Sequence, residues 1–167
     1  MTRSDIVKKI MANINDSDIV VASTGFISRE VYSQKDRPLN FYMMGSMGNA
    51  LAIGIGLALN TDNKVYVING DGSALMSLGT MVTAKSLRLT NLWHYIIDNN
   101  CHESTGGQKT ASDSIHFPYL NIDTTVYHCS RDINVPPRIE ISGKNITKRF
   151  RNAFKIISDK QFKYKLD

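Results

Sequence analysis

Short apolar runs alternate with longer helical spans along most of this chain, and that alternation limits the fold more than any other feature. Asp18–Ser23 ("DIVVAS"), Phe41–Met44, Lys64–Ile68 and Leu92–Ile97 are runs of four to six residues. They are apolar nearly throughout, as strands buried on both faces are. Between them lie a helix over "FISREVYSQ" that ends before Pro38, a helix over the small-residue stretch "GSMGNALAIGIGLAL", and a helix over Ser73–Arg88. An amphipathic helix over Ile6–Ile14 precedes the first strand, within an N-terminal segment 1–17. Strands alternating with helices predict an α/β fold: a doubly wound, mostly parallel sheet with helices on both faces. The 167 residues suit a single domain over 1–167.

Further along, the pattern loosens. Residues 99–115, "NNCHESTGGQKTASDSI", are polar and glycine-containing, and a loop of that length inside a compact domain is usually functional. Val126–Cys129 and Arg138–Ile141 are expected as short strands, Lys144–Ile157 as a helix and "FKYKL" as a last strand. No helix is legible in "FPYLNIDTTVYHCS".

Composition removes several classes of function. Hydrophobic residues make up 42% and charged residues 21%, with a net charge of +5. That charge is uneven: residues 131–167 carry ten Lys/Arg and four Asp/Glu, while residues 1–130 carry ten and eleven. No nucleic-acid motif accompanies the basic tail, so it is taken as a solvated helix face and no nucleic-acid partner is expected. The longest nearly apolar stretch, Ala50–Leu59, is about half of what a membrane helix needs, so no membrane partner is expected. "MTRSDIVKKIM" is too polar for a signal peptide, and Cys101 and Cys129 give neither a disulfide framework nor zinc spacing. A cytoplasmic protein is expected.

The chemistry concentrates in "INGDGSALMSLGT", residues 68–80. In a parallel sheet, Asp71 leaves the carboxyl end of a strand, the edge where open α/β sheets bind ligands. Gly70 and Gly72 allow a sharp turn and a close approach of backbone to ligand. A helix starting near Ser73 aims free N–H groups at that edge, which suits phosphate. A carboxylate beside phosphates is repelled unless a cation stands between them, and Mg²⁺, which prefers oxygen ligands, meets that need. Asn99 follows Asp71 by 28 positions, at the end of the next strand in "IIDNN". Its amide oxygen could complete a magnesium site. Asp98 and Asn100 flank it, so the residues alone leave the ligand open by one position.

Taken together, Gly-Asp-Gly-Ser, the strand ending in Asn and the upstream "GSMG" at 45–48 resemble the thiamine-diphosphate-dependent decarboxylase family. "STGFISREVY", "FYMMGSMGNALAIGIGLAL" and "DNNCHESTGGQKT" are most similar to phosphonopyruvate decarboxylases, then to sulfopyruvate decarboxylases, over about residues 18–112. The resemblance implies thiamine diphosphate and Mg²⁺ as cofactors. It implies Asp71, Asn99 and the backbone carbonyl of Cys101 as metal ligands, and Gly45, Ser46, Met47, Gly70, Gly72 and Ser73 as cofactor contacts. Gly45 would accept a hydrogen bond from the aminopyrimidine, and Met47 would wedge between the cofactor's rings; without the resemblance Met47 would be read as core. His102 is a candidate for proton transfer, and Arg29, Glu103 and Ser104 for substrate contact; Arg29 could as well sit on the surface paired to Glu30. The Cys101 thiol is expected to be inert.

The resemblance also implies what lies elsewhere. In this superfamily a glutamate that activates the cofactor belongs to a separate pyrimidine-binding domain, and only 17 residues precede the first strand here. The chain is therefore expected to be the diphosphate-binding subunit or fragment of a 2-oxo acid decarboxylase. It would act with a pyrimidine-binding partner, take a small 2-oxo acid as substrate and form an oligomer. The expected reaction is 3-phosphonopyruvate to phosphonoacetaldehyde and CO₂. The alternatives are a sulfopyruvate decarboxylase β subunit and a noncatalytic remnant of the same fold.

Overall fold

The computed structural model describes residues 1–121, 123–131 and 134–164. Five strands form one wholly parallel sheet: β1 (Ile19–Ala22), β2 (Asn40–Tyr42), β3 (Val65–Gly70), β4 (Leu92–Asp98) and, numbered last in the chain, β7 (Thr124–His128), in the order β2-β1-β3-β4-β7. The alternation of side chains along the strands separates two cores. Val20, Ala22, Tyr66 and Ile68 face α1 (Arg3–Ala12) and α2 (Phe26–Gln34), which supply Ile6, Ile10, Ile27 and Val31. Ile19, Val21, Val65 and Val67 face α3 (Ala50–Ala58) and the α4–α5 region (Asp71–Leu75 and Leu78–Leu87), which supply Leu51, Ile55, Ala74 and Met81. The doubly wound arrangement predicted from the alternating runs is thus the one observed.

The helix after β1 lies on one face and the helices after β3 lie on the other. The carboxyl ends of β1 and β3 therefore splay apart at a topological switch point, where sheets of this kind bind ligands. The register places Gly70 of β3 beside Ile97 of β4, so both strands end at the same level.

Three departures from the expected elements bear on the site. The helix over "GSMGNALAIGIGLAL" begins at Ala50, not Gly45, because Gly45, Ser46 and Gly48 all have positive φ (156°, 51° and 96°), which no helix tolerates. The helix expected over Ser73–Arg88 is broken at Met76 and Ser77, and the Ser77 hydroxyl donates to the Gly48 carbonyl from that break. The loop 99–115 is not featureless: β5 (Cys101–His102) and β6 (Gln108–Lys109) form a small antiparallel hairpin. A short helix α6 (Phe117–Leu120) follows, where none was legible.

In the C-terminal third, 138–141 is not a strand. Pro136 and Pro137 precede it and cannot donate into a ladder, and Ile139 and Ile141 pack against the α1 side of the core instead. The last helix, α7 (Gly143–Tyr164), runs through most of "FKYKL", replacing the expected strand; residues 165–167 lie outside the described ones. α7 is pinned over the β2 edge by Phe150 against Phe41 (5.3 Å between centroids) and by Arg149, whose guanidinium donates to both oxygens of Asp36 (2.7 and 2.8 Å).

Small residues in α3 do allow close packing on the sheet. A β-carbon added at Gly54 would overlap Val67 Cγ2, whereas one at Gly56 would meet nothing. Gly54→Ala is therefore expected to lower stability by about 1–3 kcal/mol through overpacking. Gly56→Ala is expected to be neutral or to raise it by up to ~1 kcal/mol by restricting the unfolded chain. Thermal midpoints of the two variants, measured side by side, check this pair.

Candidate functional site

The sequence from β3 into α4 places the only carboxylate of the Gly-Asp-Gly-Ser turn inside the switch-point cleft. Asp71 is 2% exposed, and the Thr110 hydroxyl donates to its Oδ2. Burial holds its carboxyl above the usual carboxylate range; the Thr110 bond opposes that shift and the neighbouring Asp98 adds to it. Thr110 was not singled out from the sequence. Its only signal there is its place at the end of "GGQKT", and its partner lies 39 positions away.

The three residues at the end of β4 are separated by their partners. Asp98 is consumed by the loop: its Oδ1 accepts from the Asn100 backbone N–H (3.0 Å) and lies 2.8 Å from Ser112 Oγ, and its other oxygen is 3.5 Å from His128 Nδ1. Asn100 turns away with φ 56° and its Oδ1 meets Ser112 Oγ at 3.0 Å. Asn99 lines the cleft with Asp71; its Oδ1 accepts from the Cys101 N–H (3.1 Å) and its Nδ2 donates to Glu103 Oε2 (3.0 Å). Of the three, Asn99 is the one whose side chain shares the cleft with Asp71. Cys101 lines the cleft as well, and burial, with Glu103 nearby, raises its thiol pKa, so the thiol stays protonated at neutral pH.

The opposite wall is built by Met47, Gly72 and His102. Met47 is 37% exposed, so it is not a core methionine. A β-carbon on Gly72 would overlap the His102 imidazole and lie 3.3 Å from Met47 Cε, so only glycine leaves this recess open. Gly70, Ser104 and Glu103 are also among the lining residues. Gly45 and Ser46 do not reach the cleft; with Met43 and Met44 they line an adjoining open groove. Arg29 is not in the lining either: its guanidinium lies over the Phe26 ring, 5.4 Å from the centroid.

Ser73 has a different job from a free hydroxyl. Its Oγ accepts from Ser23 Oγ (2.9 Å) and from the Gly48 N–H (3.1 Å), and donates to Asn69 Oδ1 (3.2 Å). Asn69 Nδ2 in turn lies 2.9 Å from His94 Nε2, and His94 Nδ1 lies 3.2 Å from Thr124 Oγ1. Burial pushes the His94 pKa down to about 3, so the ring is neutral: Nε2 accepts and Nδ1 donates. This buried polar row crosses β1, β3, β4 and β7 and, with Ser77, clips the loop 45–48 in place.

Arg3 was also missed. From the first turn of α1 its guanidinium enters the cleft lining, 2% exposed, donates to Glu103 Oε2 and to the Asn134 carbonyl (2.9 Å), and lies 3.6 Å from Glu30. It sits 100 positions from Glu103, beyond any local pattern.

Asp71, Asn99 and Cys101 line the cleft together, and a carboxylate with an amide oxygen suits a hard cation such as Mg²⁺ better than zinc. Among the described residues no group of three His, Cys, Asp or Glu is arranged to hold a metal, so these mixed oxygen donors are the ones available. The cleft encloses about 60 Å³. That is room for a cation and a few oxygens and well below the ~300–1,000 Å³ of a small-molecule site. A larger ligand would extend beyond the cleft.

Comparison with known proteins places the chain. The sulfopyruvate decarboxylase β subunit of Methanocaldococcus jannaschii is 42% identical over 151 residues, covering 90% of this chain and 76% of that one. The corresponding subunit of Methanothermobacter thermautotrophicus is 44% identical, covering 86% of this chain and 78% of its own length. The phosphonopyruvate decarboxylase of Streptomyces hygroscopicus is 44% identical over 70% of this chain, but the match spans only 29% of that longer protein. Among solved structures, a protein described as a thiamin diphosphate-dependent enzyme from Mycobacterium smegmatis shares the fold, with a TM-score of 0.55 over 66% of this chain and 23% of that one, at 19% identity. Residues 23–153 match the model of the thiamine pyrophosphate enzyme C-terminal, TPP-binding domain, and the chain belongs to that family.

Proposed function

We propose that this chain is the diphosphate-binding subunit or fragment of a 2-oxo acid decarboxylase. The observation that carries the proposal is the pairing of buried Asp71 with Asn99 across one cleft at the switch point, beneath an exposed Met47. Asp71, the amide oxygen of Asn99 and the carbonyl of Cys101 would hold Mg²⁺, which in turn would hold a diphosphate. Thiamine diphosphate, when bound, supplies the carbanion and electron sink that decarboxylation of a 2-oxo acid needs. The protein's part is geometric and electrostatic. Gly72 keeps the recess open, and Met47 and the clipped 45–48 loop with Gly45 would hold the cofactor. His102, beside Gly72, would exchange a proton with the substrate.

The substrate is a short 2-oxo acid with a distal anion. Sulfopyruvate is favoured over the phosphonopyruvate suggested by "HESTGGQ", since the sulfopyruvate decarboxylase β subunits match 90% and 86% of this chain and the phosphonopyruvate decarboxylase 70%. The small cleft and the open groove beside it favour a cofactor shared with a pyrimidine-binding partner. Magnesium dependence, oligomer formation and a cytoplasmic site belong to the same reading.

Three outcomes test it. Asp71→Asn is expected to abolish Mg²⁺-dependent binding of thiamine diphosphate in calorimetry. The metal-free variant should nevertheless melt at or above the wild-type temperature. The sign follows from the raised pKa: the fold favours the protonated carboxyl, so the stability Asp71 contributes is present below its unfolded pKa and is lost as pH rises through the folded one. A neutral amide escapes that loss. Met47→Ala should lower turnover of the reconstituted enzyme about tenfold, ~1.4 kcal/mol of transition-state stabilisation, with little change in melting. A variant that melts several degrees lower yet turns over normally would make Met47 a packing residue. Finally, the chain alone should release no CO₂ from either acid, and activity should appear on adding a pyrimidine-binding partner; sulfoacetaldehyde should then form faster than phosphonoacetaldehyde. Turnover by the chain alone would overturn the divided site.

A further inference from the structure

Asparagine is an ambiguous metal ligand. Its Oδ1 binds a cation and its Nδ2 repels one, and the two ends have nearly the same shape. Something must hold the amide in one orientation. In this chain two contacts agree on the answer. Asn99 Nδ2 donates to Glu103 Oε2 at 3.0 Å, and the Cys101 N–H donates to Asn99 Oδ1 at 3.1 Å. Turning the amide over would set Oδ1 against a carboxylate and Nδ2 against an N–H, losing both bonds and creating two repulsions.

The stronger of these contacts depends on a carboxylate that is itself buried. The Glu103 side chain is 7% exposed, that of Glu30 is 8%, and that of Arg3, between them, is 2%. A buried charge persists only where a counter-charge and hydrogen bonds satisfy it. Arg3 meets that need through its bond to Glu103 and its approach to Glu30 at 3.6 Å. It is anchored in turn by the Asn134 carbonyl (2.9 Å), by the Phe26 ring (5.1 Å) and by its place in a first turn fixed by a capping box, in which Thr2 Oγ1 accepts from the Asp5 N–H and Asp5 accepts from the Thr2 N–H. The guanidinium is therefore rigid where it meets Glu103, and Glu103 is rigid where it meets Asn99.

We infer that Glu103, held by Arg3, is a positioning residue that sets the Asn99 amide with its oxygen toward the cation. Glu103 then contacts neither substrate nor cofactor; the substrate-contact role suggested by its neighbourhood gives way to this one. The inference rests on the metal reading given above and deepens it. It also explains why a helix at the far N-terminal end of the chain is tied to the metal loop: Arg3 carries the rigidity of α1 to the site.

The test is Mn²⁺ binding to the full chain with saturating thiamine diphosphate, read by electron paramagnetic resonance, with circular dichroism to check the fold. Glu103→Ala should weaken Mn²⁺ about tenfold or more, as removal of partners behind a metal ligand does. Glu103→Gln, which keeps an acceptor for Asn99 Nδ2, should stay within about threefold of wild type on the same grounds. The discriminating background is Asn99→Asp, whose two oxygens make orientation irrelevant: there Glu103→Ala should cost less than about threefold, since no amide remains to be set. An equal loss in both backgrounds, or no loss in the first, overturns the positioning role. A misfolded Glu103→Ala leaves the decision to Glu103→Gln, where a tenfold loss in the Asn99 background overturns it. Failure of the metal reading looks different: Mn²⁺ affinity would then be indifferent to Asp71→Asn.

Discussion

Parallel pairing of β3 with β4, Gly70 beside Ile97, is the constraint on which the site depends. Both strands leave the sheet at one level, so the turn carrying Asp71 and the loop carrying Asn99 start side by side although 28 residues separate them. β1 ends against β3 nearby, with Ala22 beside Ile68, and its next helix crosses to the opposite face. A slip of one residue in β3 would invert every side chain between the two cores. Asn69 opposes that slip, because its bonds to Ser73 and His94 would be lost if its side chain crossed to the other face. Placement of the two candidate ligands is thus a consequence of core packing.

Around that edge, the carboxylates differ in what answers their charge. Glu30 and Glu103 share Arg3, and Asp98 is held by a backbone N–H, a serine and an exposed histidine. Asp71 has a hydroxyl partner, Thr110, and its pKa is raised by burial. Burial makes ionising Asp71 costly, and a cation beside it is a direct way to lower that cost. The electrostatic pattern thus points to the same residue as the Gly-Asp-Gly turn, from independent physics.

The strands and the residues immediately after them were legible because each is a local statement: an apolar run, a glycine turn, an acid, an amide. Met47 was legible only through the family resemblance; by composition a methionine beside an Ala/Gly-rich helix is core, and its exposure comes from the positive-φ loop 45–48, which periodicity does not register. The break at Met76 and Ser77 was hidden because "SALMSLGTMVTAKSL" contains no proline; tertiary bonds from Ser73 and Ser77 to Gly48 override an acceptable helical pattern. Arg3 and Thr110 were invisible for a simpler reason, sequence separations of 100 and 39. Arg29, by contrast, looked functional beside "STGF" and is turned onto Phe26.

The broken helix changes how the site would hold an anion. A long helix starting at Ser73 would aim a full macrodipole at the edge, but α4 is five residues long and its dipole is correspondingly small. What α4 offers instead is position. The Ser73 hydroxyl is spent on Ser23, Gly48 and Asn69, and the row continues through a neutral His94 to Thr124. That row fixes the glycine turn and the loop 45–48 to the sheet as one body, so the recess beside Gly72, the exposed Met47 and the ligand face of Asp71 keep their spacing. On the proposed reading, affinity for a diphosphate would come from a cation held by oxygen ligands, with α4 supplying alignment. This is why the orientation of one amide, Asn99, carries so much weight in this site.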